Sequence, residues 1–552
     1  MNTAPSRQSG TSLDPASSSP RLGRRRVART SILALLAVPF LTAAVAGPAA
    51  ATTAARSTQP AGPATADDAT TVASRIDEFM STQIKDSAIP GAAVAVVRGD
   101  QVLLVRGYGH DSNGKAVTGD SLFRVASLSK SFSALAVMQL VEEGRLGLDD
   151  KVQQHLPQLQ LSDPRAGQIT VRELLNHTSG LTDAMVPELS RTPPRTTEEA
   201  TRSLWTAHLA TAPGTAYSYH NPNYQVAARL VEELSGEPFD VYLRRHVFEP
   251  AGMTSSTTTT MDDDRVPGLP PGHVTAYGHA FSVPNMGSFT VGDGGVVSSA
   301  TDMARWLIVN ANGGRAADGT RLVSVHGLQT LHTPSAPKSG YALGWSTRGP
   351  ATSPTRLEHS GSLFTYTAEE AVWPRTRYGV VLLFNAGSPM MFDQIAISHG
   401  VFDIVEGTTP PRSGPHSASR FDTALGVLTV LALTLGLSGV LRAGRWARRR
   451  RSTPVRRILA LLPLSLVLVA GAGFPDLVET LLSRDATWTA ALYTWPALVV
   501  FVLAAVAAAG STLLVRVWQW TRHRRGDTEN LRPAAATNAP SSVAMATSRA
   551  TG

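Results

Sequence analysis

Apolar positions follow two different rules along this chain of 552 residues. From about 71 to 406 they come in short groups broken by turn residues. Residues 92–98 and 101–108 read as two strands on either side of Gly99-Asp100, a hairpin signal. Residues 370–373 and 378–384 make a second such pair, and 389–405 suit a closing helix. Helical stretches lie between, including 170–175, 223–234 and an amphipathic segment, 131–143, that Gly144 ends. Strands at both ends with helices between predict an α+β layer fold on a mostly antiparallel sheet. There is no internal repeat.

Toward the C-terminus the apolar positions fuse. Residues 423–441 are 19 without a charge, 458–474 are 17, and 486–515 are 30. Each can cross a bilayer core of about 30 Å, the middle one only just. Eight arginines separate the first two: Arg442, Arg445, Arg448, Arg449, Arg450, Arg451, Arg456 and Arg457. Asp476, Glu479, Arg484 and Asp485 separate the second from the third, and Arg516, Arg522, Arg524 and Arg525 follow. The positive-inside rule then predicts one threading: central domain outside, arginine loop inside, acidic loop outside, C-tail inside. Trp488, Tyr493 and Trp495 at one end of the third run, and Trp518 and Trp520 at the other, suit interfacial belts.

The N-terminus has the form of an export signal. Arg24, Arg25, Arg26 and Arg29 precede an apolar run, 32–45, and small residues suited to cleavage. The paired arginines leave Sec and twin-arginine routes both open, and an uncleaved anchor is the competing reading. The expected organisation is signal peptide 1–51, disordered spacer 52–70, a large central domain 71–406, linker 407–421, three transmembrane helices within 422–516, and a cytoplasmic tail 517–552.

Charge adds little beyond topology. Of 50 basic and 42 acidic residues, the flanks 1–51 and 421–552 hold 21 and 7, leaving 29 and 35 in between. The net +8 thus belongs to targeting and membrane segments, and nucleic acid is not an expected partner. Cysteine is absent, which excludes disulfides, thiolate catalysis and cysteine-ligated zinc.

The strongest chemical signal is Ser127-Leu128-Ser129-Lys130 at a helix start. Three apart on a helix, Ser127 and Lys130 share a face, with Cβ atoms about 5–6 Å apart. A serine hydroxyl is a poor nucleophile until a neighbouring base takes its proton, and a lysine of lowered pKa can do so. The helix start offers backbone N–H groups and partial positive charge to an oxyanion. Tyr217-Ser218-Tyr219-His220-Asn221 supplies a phenol at Tyr219 and an amide at Asn221; the same pattern is also an ordinary turn with an N-cap. His359-Ser360-Gly361-Ser362 lies where an edge strand is plausible, with the Ser362 N–H a second oxyanion donor. His177, within 174–181, reads as a loop lock, and 292–295 as a tight loop without catalytic meaning. No Gly-x-Ser-x-Gly elbow, His-Glu-x-x-His helix or Walker A loop occurs. No cofactor or metal is implied.

In order and spacing, Phe123 to Lys130, 175–181, Tyr219-His220-Asn221, 292–298 and His359-Ser360-Gly361 resemble the serine β-lactamase-related hydrolases. That group takes in class C β-lactamases, D-alanyl-D-alanine carboxypeptidases, D-aminopeptidases and esterases. The resemblance covers about 71–406 and implies a β-lactamase/transpeptidase-like fold, an antiparallel sheet flanked by helices, here followed by three transmembrane helices. It implies Ser127 as acylated nucleophile, Lys130 and Tyr219 as the proton-transfer pair, and Asn221 as positioner of substrate and lysine. His359-Ser360-Gly361 becomes the strand motif, with N–H groups of Ser127 and Ser362 as the oxyanion hole. Penicillin-recognising members usually carry Lys-Thr-Gly where this chain has His359. A neutral histidine is a weaker carboxylate anchor, which favours ester or peptide substrates over β-lactams.

The expected function is an exported, membrane-anchored serine hydrolase cleaving an ester or amide through an acyl-enzyme. Its partners would be a small-molecule or peptide substrate and the membrane. The alternative is a non-catalytic sensor or binding domain that signals through the membrane helices. Transport is disfavoured, since the apolar cores of the spans carry no charge.

Overall fold

The computed structural model describes residues 66–388, 391–411, 417–448, 453–482 and 484–529. The export signal, the spacer up to 65 and the tail beyond 529 lie outside the described residues.

Helix α1 (Ala66–Asp86) opens the described chain, so the last residues expected in the spacer are helical. Strands β1 (Gly91–Arg98) and β2 (Gln101–Gly109) form the hairpin read around Gly99-Asp100. Gly99 takes φ +63° there, a conformation that costs glycine little. The run of Ala and Val in β1 does not alternate because both of its faces are covered: nearly every residue is buried. Strands β3 (Ser346–Arg348), β4 (Arg356–Leu363), β5 (Tyr366–Trp373) and β6 (Tyr378–Phe384) complete an antiparallel sheet of order β2-β1-β6-β5-β4-β3. The two ends of the domain meet in it, with Ala92 opposite Phe384 and Val96 opposite Val380.

On one sheet face, Ile76 and Met80 of α1 pack with Ile397 and Val401, which sit on the closing helix at 392–405, against Val94, Val96 and Leu382. On the other lie helices α2 (Ser129–Glu142), α3 (Pro222–Ser235) and α4 (Ala300–Ala311), around Ala93, Ala95, Val381 and Leu383. Phe132 of α2 stacks on Trp306 of α4 with centroids 4.0 Å apart. The expected amphipathic helix is instead buried nearly all round through Leu140. Wedged between sheet and helices, its polar side chains are spent internally. Ser129 Oγ accepts from Val296 N, and the Ser131 and Ser133 hydroxyls donate to the carbonyls of Leu128 and Gly292.

The closing helix is α5 (Phe392–Val405), and three long apolar helices follow: α6 (Ser417–Leu441), α7 (Pro454–Ala472) and α8 (Pro496–Glu529). All three are long and apolar enough to cross a membrane. Gly436 and Gly439 of α6 lie against Ala508 and Thr512 of α8, leaving no room for a Cβ, the small-residue packing usual between such helices. The 30-residue third run is not one helix. It breaks before Pro496, where Trp495 takes the extended φ −151° that a following proline favours, so Trp488–Thr494 is a separate helix. The loop that joins α7 to α8 meets the central domain. Tyr493 donates to Pro284 O at 2.9 Å, while Trp495 Nε1 donates at 2.9 Å to Asp422 Oδ1 at the start of α6. The segment between α7 and α8 thus lies against the central domain.

Candidate active site

The chain reaches Ser127 through a forced turn. A strand ending at Arg124 runs into Ala126, whose φ of +52° is unfavourable for a residue with a Cβ, by about 1–2 kcal/mol. A single 3-10 turn, Ala126–Leu128, follows and α2 begins. Lys130, one turn on, is fully buried. Its Nζ donates to Ser127 Oγ at 3.1 Å, to Asn221 Oδ1 at 2.8 Å and to the Asp293 carbonyl at 2.8 Å. The buried Nζ thus has a polar partner on three sides. The loop at 292–295 therefore has a role its sequence did not reveal: its backbone carbonyl fixes the lysine. The Asp293 side chain is buried, which raises its pKa to about 7 against the pull of Lys130.

Asn221 occupies the N-cap position of α3, yet its side chain does not cap. Both ends of its amide are used elsewhere, Oδ1 on Lys130 and Nδ2 on Glu188 Oε2 at 2.7 Å. Tyr219 enters the site by its ring. Lys130 Nζ lies 4.9 Å from the ring centroid, a cation–π distance, and the Tyr224 ring is 5.7 Å away. No described residue hydrogen-bonds the Tyr219 hydroxyl. Behind Tyr219, the His177 ring packs against it, tilted by 38°, with centroids 4.4 Å apart. His177 is buried at φ +60°, and its Nδ1 accepts from the His220 backbone N–H at 3.2 Å. Burial, with Lys130 nearby, keeps it neutral. It locks the loop, as read from the sequence.

His359, Ser360, Gly361 and Ser362 lie on β4 and wall the same cleft. Strand β3 pairs only with 356–358, so 359–363 presents an open edge among the described strands. His359 is buried. Its Nδ1 donates to the Ser360 carbonyl at 2.8 Å, so its Nε2 accepts from the Tyr341 hydroxyl at 2.9 Å. Burial and the Lys130 charge push its pKa down to about 3. Gly361 is required by the serine turn. A Cβ there would stand 2.5 Å from the Val125 carbonyl oxygen and 3.0 Å from Ala126 Cβ.

Four residues that sequence reasoning did not select complete the surroundings. Fully buried His220 lies 3.3 Å from Asp183 Oδ1 and 3.2 Å from Glu188 Oε1. Burial works against its charge, but the two carboxylates outweigh it and raise its pKa. Burial likewise opposes ionisation of Glu188, and His220 overcomes it, leaving Glu188 well below the usual carboxylate range. Arg484, from the α7–α8 loop, donates from Nε to Asp183 Oδ2 at 2.9 Å. The ligand atoms of Asp183, Glu188 and His220 lie within 4.8 Å of one another, a spacing open to a metal ion, and Arg484 already pairs with Asp183. His220 sits inside the quoted Tyr-x-Asn pattern and was the one available signal; Arg484 read only as a topology charge.

The cleft of about 510 Å³ has Ser127, Tyr219, Asn221, Tyr341, His359 and Ser362 among its walls. An adjoining cavity of about 300 Å³ shares Asn221, Ser362 and Arg484 with it.

Comparison with known proteins covers most of this region. The family model described as Beta-lactamase matches residues 72–399. The chain is 23% identical over 404 residues to Protein flp of Staphylococcus aureus (strain N315), spanning 71% of this chain and 78% of that one. It is 31% identical over 276 residues to Penicillin-binding protein 4 of Amycolatopsis lactamdurans, spanning 47% and 71%. Among solved structures, the octameric penicillin-binding protein homologue from Pyrococcus abyssi superposes with a TM-score of 0.52 at 24% identity, over 62% of this chain and 79% of that one.

Proposed function

Because the chain belongs to the β-lactamase family of serine hydrolases, we propose that it is a membrane-anchored hydrolase that cleaves esters or amides through an acyl-enzyme on Ser127. The observation that carries this reading is the contact of Lys130 Nζ with Ser127 Oγ, held in place by Asn221 and the Asp293 carbonyl.

In this mechanism Ser127 Oγ attacks the substrate carbonyl carbon and its proton passes to the Lys130–Tyr219 pair. The N–H groups of Ser127 and Ser362 hold the oxyanion, and the proton goes on to the departing alcohol or amine. Water then attacks the acyl carbon, and the serine regains its hydrogen as the acid leaves. Asn221 orients both Lys130 and the substrate, and His359-Ser360-Gly361 offers a strand edge to the acyl donor. Neutral His359 brings no charge for a β-lactam carboxylate, which supports small esters or D-amino-acid peptides as substrates, with β-lactams turned over less well. The charge pattern around α6, α7 and α8 supports an extracytoplasmic domain at the cell membrane.

A fluorophosphonate probe tests the proposal. It should label Ser127, and Ser127→Ala should abolish both labelling and ester turnover. An activated ester should also give a burst of leaving group. Binding without a burst would identify a sensor domain instead.

A further inference from the structure

The family resemblance leads one to expect a lysine at the third motif, and here that position cannot supply charge. Both ring nitrogens of His359 are engaged and the ring is neutral. Lys130 Nζ is already enclosed by Ser127, Asn221 and the Asp293 carbonyl. A carboxylate entering this cleft therefore needs a cation from elsewhere.

Two arginines reach the walls. Arg348 lies at the far end of β3 and its Nε is held by Glu358 at 2.6 Å. Arg484 comes from the α7–α8 loop and borders both cavities, together with Asn221 and Ser362. The loop is pinned for this purpose. Asp485 Oδ2 accepts from the backbone N–H groups of Leu189 and Ser190, each at 2.6 Å, and Asp183 fixes Arg484 through Nε alone. Neither terminal nitrogen of that guanidinium makes a hydrogen bond to a described residue, and its side chain is 52% exposed. This leaves both terminal nitrogens of a guanidinium that lines the cleft without a protein partner among the described residues, and such a bidentate edge suits a carboxylate.

We infer that Arg484 is the carboxylate-binding residue of the active-site cleft, so that the loop between the second and third long apolar helices sets selectivity for anionic acyl donors. The inference rests on the hydrolase reading and deepens it. The membrane-proximal part of the chain then does more than anchor: it completes the substrate site. The substrate class is an ester or amide with a free carboxylate near the scissile bond, of which a peptide ending in its own carboxylate is the simplest form.

The test uses the full chain in detergent and matched substrate pairs. One pair is a short acyl peptide with a free C-terminal carboxylate and the same peptide as its amide. The other is a phenyl ester with a carboxylate on the leaving group and its uncharged counterpart. The wild type should prefer the acid member. Arg484→Ala should lower kcat/KM for the acid by about 10-fold or more, chiefly through KM, while the neutral member loses several-fold less. Arg484→Lys should recover part of the preference, and Arg348→Ala should leave the preference in place. Equal losses on both members, a preference carried by Arg348, or no acid preference in the wild type would overturn the assignment while leaving the hydrolase intact. Failure of the wild type to form any acyl-enzyme on Ser127 with the uncharged ester would instead remove the hydrolase reading, and this inference with it.

Discussion

Glu188 Oε2 accepts a hydrogen bond from Asn221 Nδ2 at 2.7 Å while Asn221 Oδ1 faces Lys130 Nζ at 2.8 Å. A carboxylate on one side and the Lys130 amino group on the other fix which way the amide points. The carboxylate is itself held by buried His220, which it shares with Asp183. With Arg484 on Asp183, the Lys130 geometry thus depends on a charged cluster whose members come from three separate stretches of chain.

Removing the cation from that cluster should be costly. His220→Asn leaves two mostly buried carboxylates without their imidazolium, an arrangement worth about 3–5 kcal/mol when broken. His220 has a pKa raised above its ordinary 6.5, so its contribution is complete below that value and fades as pH rises through the raised one. Glu188 is depressed below its ordinary 4.5, so its contribution is complete above that value and fades as pH falls through the depressed one. The Tm gap between wild type and variant should therefore be widest between about pH 5 and 6.5 and narrow toward alkaline pH. A gap that does not change with pH would count against a charged His220.

Tyr219 separates ring from hydroxyl. Its ring packs beside Lys130 and on His177, so Tyr219→Phe should keep the fold and the Tm. If the hydroxyl takes part in proton transfer, kcat should nonetheless fall by about 100-fold or more. Steady-state kinetics on an activated ester would decide it: an unchanged kcat would leave Lys130 as sole base.

Gly361→Ala should harm the site without touching substrate. The added methyl must displace the Val125 carbonyl or Ala126, which lie 2.5 and 3.0 Å from where it would stand. Overpacking of this kind costs about 1–3 kcal/mol, and here it falls on the turn that aims Ser127. Both a lower Tm and slower acylation by a fluorophosphonate are expected. Wild-type acylation would mean that the turn and β4 move apart freely.

Asp293 offers a second pH test of opposite sign. Burial raises its pKa from an ordinary 3.8 to about 7, so its neutral form favours folding at low pH and that contribution is lost as pH rises through about 7. Asn in its place keeps the backbone carbonyl that holds Lys130 and cannot ionise. Asp293→Asn should match the wild type near pH 4 and exceed it above pH 7, by on the order of 1 kcal/mol for each pH unit between. Melting curves across pH would show whether the two diverge.

The short-range order of the sequence was enough for much of this protein. Ser127 and Lys130 are three apart on a helix start, so their meeting needs only helical geometry. The hairpin around Gly99 and the charge-free runs were legible because turn chemistry and hydrophobic length are local properties. The family motifs added Tyr219, Asn221 and His359 as a set, and the fold brings all of them to one cleft.

What only the tertiary structure decided involves groups whose meaning comes from neighbours far away in the chain. Burial from every side, invisible to a periodicity argument, made α2 a core helix and His359 a neutral one. Gly361 owes its identity to Val125, and His220 owes its charge to Asp183 and Glu188. Arg484, read along the chain, marked only which side of a membrane a loop occupies; its place beside the Ser127 cleft follows from long-range docking of its loop on Asp183, Leu189 and Ser190. Local pattern fixes which elements form, whereas electrostatics and close packing act through space, and those distances exist only once the chain has folded.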